Sequence, residues 1–358
     1  FSTPYDLNMV DHLNEFVPAF KIGSGDVAWN EMLQKVSLKK KPVFLATGAS
    51  TINEVHNAYN ILSKNNKDIW PTFFIVGAQK SGTTSLYHYL RLHPKIFLSP
   101  IKEPAYFSKY RGSMPFRDKP PTKEQYLELF QHVRDKSAIG EVSTPYLFDQ
   151  DTASNIHKTI PDAKIIIILR DPVERAYSRY LENRWNTNLP EFGEEIRKGI
   201  DILNKEHSDP ADNILYCGLY HEQVKRYLDT FGEKNVKILI YEEIFPNNIK
   251  QKVKEILEFL EITELHNFEE THHFGYYTPR GEKLLTNALV KKFAYTFVPE
   301  NLRIFAYKKI RNKDHVKPEM NIDDRKFLNE FYLDDVLKLQ QMIKRPLPWP
   351  IVDYEKSE

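Results

Sequence analysis

Residues 74–86 combine a strand pattern, a glycine-containing loop and a helix pattern, and this succession restricts the possible folds more than any other part of the chain. The apolar run Phe74-Ile75-Val76 ends at Gly77, the loop Ala78-Gln79-Lys80-Ser81-Gly82 follows, and Thr83-Thr84-Ser85 opens a helix. In such a loop the backbone N–H groups and the helix N-terminus point at one place and favour a bound anion. The segment therefore predicts an α/β fold with a phosphate-binding loop, in which Lys80 adds a positive charge.

A second strand-to-helix junction lies at residues 165–178. The apolar run Ile165–Leu169 is typical of a central strand buried on both faces, and Arg170 follows it directly. We expect Asp171 to cap the next helix, Pro172 to be its first residue and Glu174 to complete a capping box.

Arg170 and Ser178 are candidates for a second phosphate site at this junction. Ligands of open α/β sheets bind at the carboxyl ends of strands, and an arginine there can make two hydrogen bonds to one phosphate. Ser178 falls on the second turn of the expected helix. The alternative is that Arg170 pairs with a carboxylate and Ser178 faces solvent.

The whole chain after about residue 70 alternates strand and helix patterns. Strands are expected at Phe73–Val76, Ala138–Ile139, Lys164–Leu169 and Val236–Tyr241, and helices at Thr84–Leu92 and Pro172–Arg184. Such alternation indicates a mostly parallel sheet with helices on both faces. We therefore predict an α/β fold with a P-loop-like parallel sheet over residues 70–358.

Residues 1–69 have a β/α pattern of their own. Apolar runs end in the small residues Ser2-Thr3, Gly23-Ser24-Gly25 and Thr47-Gly48-Ala49-Ser50, with helix patterns at Asp6–Phe16 and Thr51–Lys64 between them. A β/α barrel carries its site at such strand ends, but it needs eight units and about three are present here. We expect a partial β/α-barrel fragment, followed by a domain boundary near residue 70.

Composition and charge exclude other classes of protein. The formal net charge of +1 argues against a general nucleic-acid binder, and we expect the basic run Lys308–Lys313 to be a solvated face. No apolar run approaches the ~20 residues of a membrane span, so we expect a soluble chain, cytoplasmic if the source is bacterial. The single Cys217 excludes an internal disulfide, and we expect it to be a buried or half-buried residue, not a nucleophile. Because the chain begins at Phe1 without an initiator Met, we expect an N-terminal truncation.

Together the two phosphate motifs resemble those of the sulfotransferase family that uses 3′-phosphoadenosine 5′-phosphosulfate (PAPS). The resemblance covers about residues 71–350 and is closest to the branch of heparan sulfate O- and N-sulfotransferases and their bacterial relatives. Thr83 stands where an ATP- or GTP-binding loop carries its lysine, which disfavours those nucleotides. Gly140–Leu147 resembles the family segment G-E-K-[ST]-P-x-Y, but Val142 replaces a lysine that contacts the sulfate in some members.

The resemblance implies a sulfotransferase fold and an enzyme that moves a sulfuryl group from PAPS to a hydroxyl or amine of a small-molecule or saccharide acceptor. Adenosine 3′,5′-bisphosphate is the implied product, and no metal is implied. Lys80 would contact the bridging oxygen and the 5′-phosphate, and Arg170 and Ser178 the 3′-phosphate. The implied co-substrate-binding residues are Lys80, Ser81, Gly82, Thr83, Thr84, Ser85, Arg170, Ser178 and Arg280.

Glu103 is the candidate general base. Ser99–Phe107 resembles the segment that carries the catalytic glutamate of this branch, and a nearby carboxylate can accept the proton of an attacking hydroxyl. For the neighbouring Lys102, we favour a solvated side chain over a charge on the acceptor side. In the late segment His272–Lys283, the resemblance implies that Arg280 closes over the 3′-phosphate, with Lys283 as a second candidate; the alternative is a surface turn. The adjacent histidines there do not have the spacing of a zinc site.

The N-terminal fragment resembles part of the sialic acid synthase family. The matching segments are Phe1–Asp6, Lys21–Gly25 and Ala46–Ser50. The resemblance implies that Lys21, Ser24 and Thr47 occupy positions that hold phosphoenolpyruvate in that family. Its metal-binding histidines, its catalytic glutamate and its C-terminal domain have no counterpart here, so we expect an inactive fragment.

Two further functions are compatible with the sequence. One is a P-loop nucleotide kinase, which Thr83 and the missing paired magnesium ligands oppose. The other is a catalytically impaired fusion that only binds nucleotide.

Overall fold

The structure, a computed structural model, describes residues 1–63, 68–110, 112, 115–116, 119–131, 133, 135–186, 190–204, 213–263 and 317–351. Arg280, the rest of His272–Lys283 and Lys308–Lys313 lie outside the described residues. The chain divides into two compact units, Phe1–Ile69 and Trp70–Glu358.

The first unit contains a small parallel sheet and three helices. Its elements are α1 (Leu7–Phe16), β1 (Phe20–Ile22), α2 (Asn30–Ser37), β2 (Val43–Leu45) and α3 (Ile52–Ser63). Strands β1 and β2 are parallel, and Phe20 lies opposite Val43. The expected first strand is reduced to a single bridge between Ser2 and Phe20. A core of buried residues, among them Val10, Phe20, Met32, Leu33 and Ala58, holds the unit together.

The second unit is built on a five-stranded sheet in which every pair of neighbouring strands is parallel. Its strands are β3 (Phe73–Gly77), β4 (Ile96–Leu98), β5 (Ala138–Val142), β6 (Lys164–Leu169) and β7 (Val236–Ile240), in the order β4-β5-β3-β6-β7. Strand β3 and residues 165–169 of β6 are fully buried, as expected for strands covered on both faces. The predicted parallel sheet is therefore confirmed.

Ten α-helices of the described part surround this sheet. They are α4 (Thr83–Arg91), α5 (Lys123–Glu128), α6 (Pro145–Phe148), α7 (Thr152–Thr159), α8 (Pro172–Asn186), α9 (Phe192–Leu203), α10 (Tyr220–Phe231), α11 (Tyr241–Ile244), α12 (Ile249–Phe259) and α13 (Ile322–Ile343). Among the described residues, no helix is both long and apolar enough to cross a bilayer. Cys217 is buried in a short 3₁₀ helix, as predicted, and burial raises the pKa of its thiol.

The order of the strands determines where a ligand can bind. The chain passes from the central β3 to the edge strand β4, returns to β5, and then crosses β3 to build β6 and β7. Parallel strands end at the same edge of a sheet, and open α/β sheets bind ligands outside the carboxyl ends of strands, at such a change of direction. The loops after β3, β5, β6 and β7 therefore meet at the candidate site.

Replacement of Gly140 by alanine tests the packing of the central strands. A Cβ at Gly140 would lie 2.2 Å from Cζ of the Phe73 ring, which belongs to the neighbouring strand β3. We expect Gly140→Ala to lower the free energy of unfolding by roughly 1–3 kcal/mol, because the ring has to move within a packed core. Urea unfolding measures this loss. The control is Gly48→Ala in the first unit, where the added Cβ meets nothing within 4 Å and φ is not positive, so an equal loss in both variants would contradict the prediction.

Candidate active site

The loop between β3 and α4 has the form of an anion cradle. Lys80 and Gly82 both have a positive φ, and the first helical residue of α4 is Thr83. A Cβ at Gly82 would lie 2.6 Å from the Phe245 ring, so this position needs glycine for space as well as for conformation. Ser81 is fully buried, and its Oγ has no hydrogen-bond partner in the described part of the chain. An orphaned buried hydroxyl beside a helix N-terminus fits a bound oxyanion.

Lys80 is held in place by a carboxylate that the sequence analysis missed. Its Nζ lies 3.0 Å from Oε1 of Glu182, and Oε2 of Glu182 accepts a hydrogen bond of 2.7 Å from Arg179. Burial acts to raise the pKa of Glu182, but the charges of Lys80 and Arg179 outweigh it and hold that pKa below its usual range. The position of Glu182 four residues after Ser178, on the same helical face, was the available signal.

Arg170 joins the two phosphate motifs. Its NH1 donates a hydrogen bond of 3.1 Å to the carbonyl oxygen of Lys80, and its guanidinium lies 4.5 Å from the ring centre of Tyr241. Its Nε is buried without a hydrogen-bond partner among the described residues. The alternative in which Arg170 pairs with a carboxylate is therefore wrong within the described residues, and the free Nε adds a donor to the site.

The start of α8 follows the prediction in part. Asp171 accepts hydrogen bonds from the backbone N–H groups of Val173 (2.8 Å) and Glu174 (3.3 Å), so its role as N-cap is confirmed. Burial raises the pKa of Asp171 to about 6. Ser178 is 8% exposed, which excludes the alternative in which it faces solvent.

The predicted capping box at Glu174 is wrong. The backbone N–H of Asp171 donates instead to Oε1 of Glu242 at 3.1 Å. Glu174 forms ion pairs with Lys317 and with Arg325, the latter at 2.7 Å. Lys317 is 143 residues away from Glu174, so no local pattern could have revealed this competition.

Lys317 brings another cation toward Arg170. Its Nζ lies 4.9 Å from the ring centre of Tyr177, and its pKa is lowered, first by burial and also by the positive charge of Arg170. The Glu174 carboxylate partly offsets these effects. The sequence analysis missed Lys317 because its place in the fold depends on a tertiary contact.

Glu103 lies beside the end of β5. Its backbone N–H donates to the carbonyl oxygen of Val142 at 2.8 Å, and its Oε1 accepts a hydrogen bond of 3.1 Å from Thr144 Oγ1. Lys102 Nζ lies 2.5 Å from the same oxygen, and the Lys102 side chain is only 21% exposed. The expectation of a solvated Lys102 is therefore wrong, because its ammonium turns back onto Glu103.

Thr144 connects the surroundings of Glu103 with the phosphate loop. A Cβ at Gly77, the last residue of β3, would lie 2.7 Å from Leu147 Cβ and 3.4 Å from the carbonyl oxygen of Thr144. The segment after β5 thus packs against the base of the loop that carries Lys80. Oriented cations, free donors and a carboxylate at one sheet edge can bind a ligand with two phosphate groups and accept a proton beside it.

The residues implied for phosphoenolpyruvate lie in the first unit. Lys21 is the exposed middle residue of β1, Ser24 is half-buried after that strand, and Thr47 is exposed after β2. Among the described residues of the whole chain, no three His, Cys, Asp or Glu side chains are arranged to hold a metal ion.

Comparison with known proteins identifies the family. Residues 71–342 match the sulfotransferase domain family, and residues 1–71 match the NeuB family. The chain therefore belongs to the sulfotransferase family. The sulfotransferase of Alicyclobacillus acidocaldarius, a solved structure, is 31% identical, has a TM-score of 0.58, and is similar over 78% of this chain and 98% of its own.

Curated relatives are larger proteins. Mouse carbohydrate sulfotransferase 15 is 29% identical in an alignment of 255 positions that covers 56% of this chain and 45% of that protein. The mouse bifunctional heparan sulfate N-deacetylase/N-sulfotransferase 4 is 26% identical in an alignment of 312 positions that covers 80% of this chain and 32% of that protein. The chain thus spans less than half the length of these relatives.

Glu141, a residue of β5, gives a prediction on how stability depends on pH. The carboxyl is fully buried, and burial raises its pKa to about 7 from an ordinary 4.5. A raised pKa means that folding takes up a proton, so the stability contributed by this group is complete below pH 4.5 and is lost as the pH rises through 7. Burial also raises the pKa of Tyr126 and of Tyr146, whose hydroxyls contact this carboxyl, and that of the nearby Tyr227, so all three stay neutral over this range.

Glu141→Gln should therefore be less destabilising at pH 8 than at pH 5. The difference in unfolding free energy between the variant and the wild type should shrink by roughly 2 kcal/mol across this interval. Urea unfolding at several pH values measures it. A difference that is constant or grows with pH would contradict the burial-raised pKa.

Proposed function

We propose that this chain transfers a sulfuryl group from PAPS to a hydroxyl or amine of a saccharide or other small-molecule acceptor. The observation that carries the proposal is the hydrogen bond from Arg170 to the Lys80 carbonyl, which brings two anion-binding motifs together at one sheet edge. Thr83 in place of a nucleotide-triphosphate lysine argues against ATP. We assign the activity to residues 70–358 and regard residues 1–69 as an inactive partial barrel.

In the proposed site, each of the two motifs binds a different phosphate group of PAPS. Backbone N–H groups of residues 81–85, the Ser81 hydroxyl and the Lys80 ammonium would hold the 5′-phosphosulfate. Arg170 and Ser178 would hold the 3′-phosphate, for which the buried and unpartnered Arg170 Nε is a suitable donor. Arg280 is proposed to cover the same phosphate.

In the proposed mechanism, Glu103 accepts the proton of the acceptor hydroxyl or amine as that atom forms its bond to sulfur. PAPS supplies the sulfuryl group, and its bond from sulfur to the bridging oxygen breaks in line with the attack. Lys80 and the loop N–H groups stabilise the negative charge that develops on this oxygen, which should be the main source of rate enhancement. Thr144 and Lys102, both bonded to Oε1, orient the Glu103 carboxylate.

The names of the relatives support a saccharide acceptor. Carbohydrate sulfotransferase 15 and the heparan sulfate N-deacetylase/N-sulfotransferases are both similar to this chain. The first acceptors to test are therefore heparan sulfate for O-sulfation and N-deacetylated heparan sulfate for N-sulfation.

Binding of adenosine 3′,5′-bisphosphate tests the co-substrate site directly. We expect micromolar affinity by calorimetric titration, no comparable affinity for ATP, and a loss of at least about tenfold in Arg170→Ala, since a charge-assisted pair of hydrogen bonds is removed. Arg325→Ala is a matched control, because this arginine pairs with Glu174. Equal binding of ATP would favour the kinase alternative, and no binding by the wild type would overturn the PAPS site.

Glu103→Gln tests the proposed base. We expect transfer from radiolabelled PAPS to fall by roughly 100-fold or more, with unchanged affinity for adenosine 3′,5′-bisphosphate, because the amide cannot accept the proton. The matched control is Glu128→Gln on the exposed face of α5. A glutamine variant that loses bisphosphate binding, or keeps full transfer, would contradict the role of Glu103.

A further inference from the structure

A fully buried carboxyl, Glu141, lies behind the segment that carries Glu103. It belongs to β5 and receives hydrogen bonds from hydroxyl groups on both of its oxygens. Ser143 Oγ donates to Oε1 at 2.5 Å, and the Tyr126 hydroxyl donates to Oε2. Burial of a carboxyl is unfavourable even when hydroxyl groups satisfy it, so an apolar residue here would serve packing better.

The hydroxyls bound to Glu141 also hold the backbone that follows Glu103. The N–H of Ala105 donates to Ser143 Oγ at 3.1 Å, and the N–H of Phe107 donates to the Tyr146 hydroxyl at 3.2 Å. A hydroxyl has one proton and two lone pairs. Because Ser143 gives its proton to Glu141, its oxygen is turned to accept from Ala105.

Tyr146 repeats the arrangement. Its hydroxyl interacts with the Glu141 carboxyl, as that of Ser143 does, and accepts from the main chain. Tyr126 adds a third connection, because its ring stacks on the Tyr106 ring with centres 4.4 Å apart. One carboxyl thus fixes three side chains, and each of them contacts residues 105–107.

Residues 103–105 have a backbone conformation that is unfavourable for residues with a side chain. Glu103 and Ala105 have φ values of 62° and 54°, in the left-handed region. Such a backbone persists only where surrounding contacts determine it. The Glu103 N–H bond to Val142 fixes one end of the turn, and the hydroxyls bound to Glu141 fix the other.

We propose that Glu141 is a positioning residue for sulfuryl transfer: through Ser143, Tyr146 and Tyr126 it holds residues 103–107 so that the Glu103 carboxylate faces the acceptor. The inference rests on the proposed function, in which Glu103 is the base. It explains why β5 has a buried glutamate, where packing alone would favour an apolar residue.

The first measurement does not depend on enzyme activity. Amide hydrogen exchange of the full chain should be faster at Ala105 in Ser143→Ala and, by roughly tenfold or more, at Phe107 in Tyr146→Phe, since each variant removes a hydroxyl that accepts from that N–H. The change at Ala105 should be the smaller one, because its N–H keeps a hydrogen bond to the Glu141 carboxyl. Tyr227→Phe is the matched control: its buried hydroxyl donates to the Tyr146 carbonyl at 2.7 Å and contacts neither amide. Unchanged exchange in the two test variants, or equal acceleration in the control, would overturn the clamp.

The second measurement is transfer from PAPS to heparan sulfate and to N-deacetylated heparan sulfate. Ser143→Ala and Glu141→Gln should lower kcat by roughly 10–100-fold, as a slightly misplaced base does, with bisphosphate affinity changed less than about twofold. Tyr227→Phe should keep kcat. In a Glu103→Gln background, Ser143→Ala should cost little further, because the base it positions is absent.

The outcomes separate the two proposals. Faster exchange with an unchanged kcat would show a clamp without a role in transfer and would overturn the positioning role. A full additional loss in the Glu103→Gln background would also overturn it, because Ser143 would then act by another route. If the wild type transfers no sulfate, the proposed function fails, while the exchange experiment still decides whether Glu141 holds the segment.

Discussion

The parallel pairing of β3 with β5 on one side and β6 on the other is the constraint on which the site depends. Because all three strands run in one direction, Gly77, Val142 and Leu169 end at the same edge. Residues far apart in sequence, such as Lys80, Glu103 and Arg170, are brought to this edge by the order and direction of the strands alone. The buried strands give this edge its rigidity, and the loops give it its chemistry.

The cations of the candidate site differ in whether a carboxylate neutralises them. Lys80 and Lys317 have carboxylate partners, whereas Arg170 contacts a carbonyl and an aromatic ring in the described part of the chain. Its buried Nε has no hydrogen-bond partner among the described residues, and neither has the buried hydroxyl of Ser81. Buried polar groups are generally hydrogen-bonded, so these two are the groups best suited to contact a bound ligand.

Sequence patterns predicted the features that depend on residues adjacent in the chain. The strand, glycine-containing loop and helix at residues 73–91, the buried strand at Ile165–Leu169 and the Asp171 cap depend on residues that are neighbours in the chain, and the structure contains all three. The missed features, among them Glu182 on Lys80, Lys317 near Arg170 and the pairing of Lys102 with Glu103, depend on side-chain directions or distant contacts. The wrong capping box shows the same limit, because a remote pair of cations attracts Glu174 more than the helix start does.

Gly82 packs against Tyr241 and Phe245, so the loop after β3 depends on the turn after β7 for its conformation. Tyr241 lies on the Cβ side of Gly82 and also carries the guanidinium of Arg170 on its ring. If residues 77–85 were transplanted into another parallel-sheet scaffold, Gly82 would lose its contacts with Tyr241 and Phe245. Arg170 and Tyr241, which contact each other, would both be absent. A working transplant has to include the turn after β7 as a second piece, and sequence changes in the two segments should be coupled during evolution.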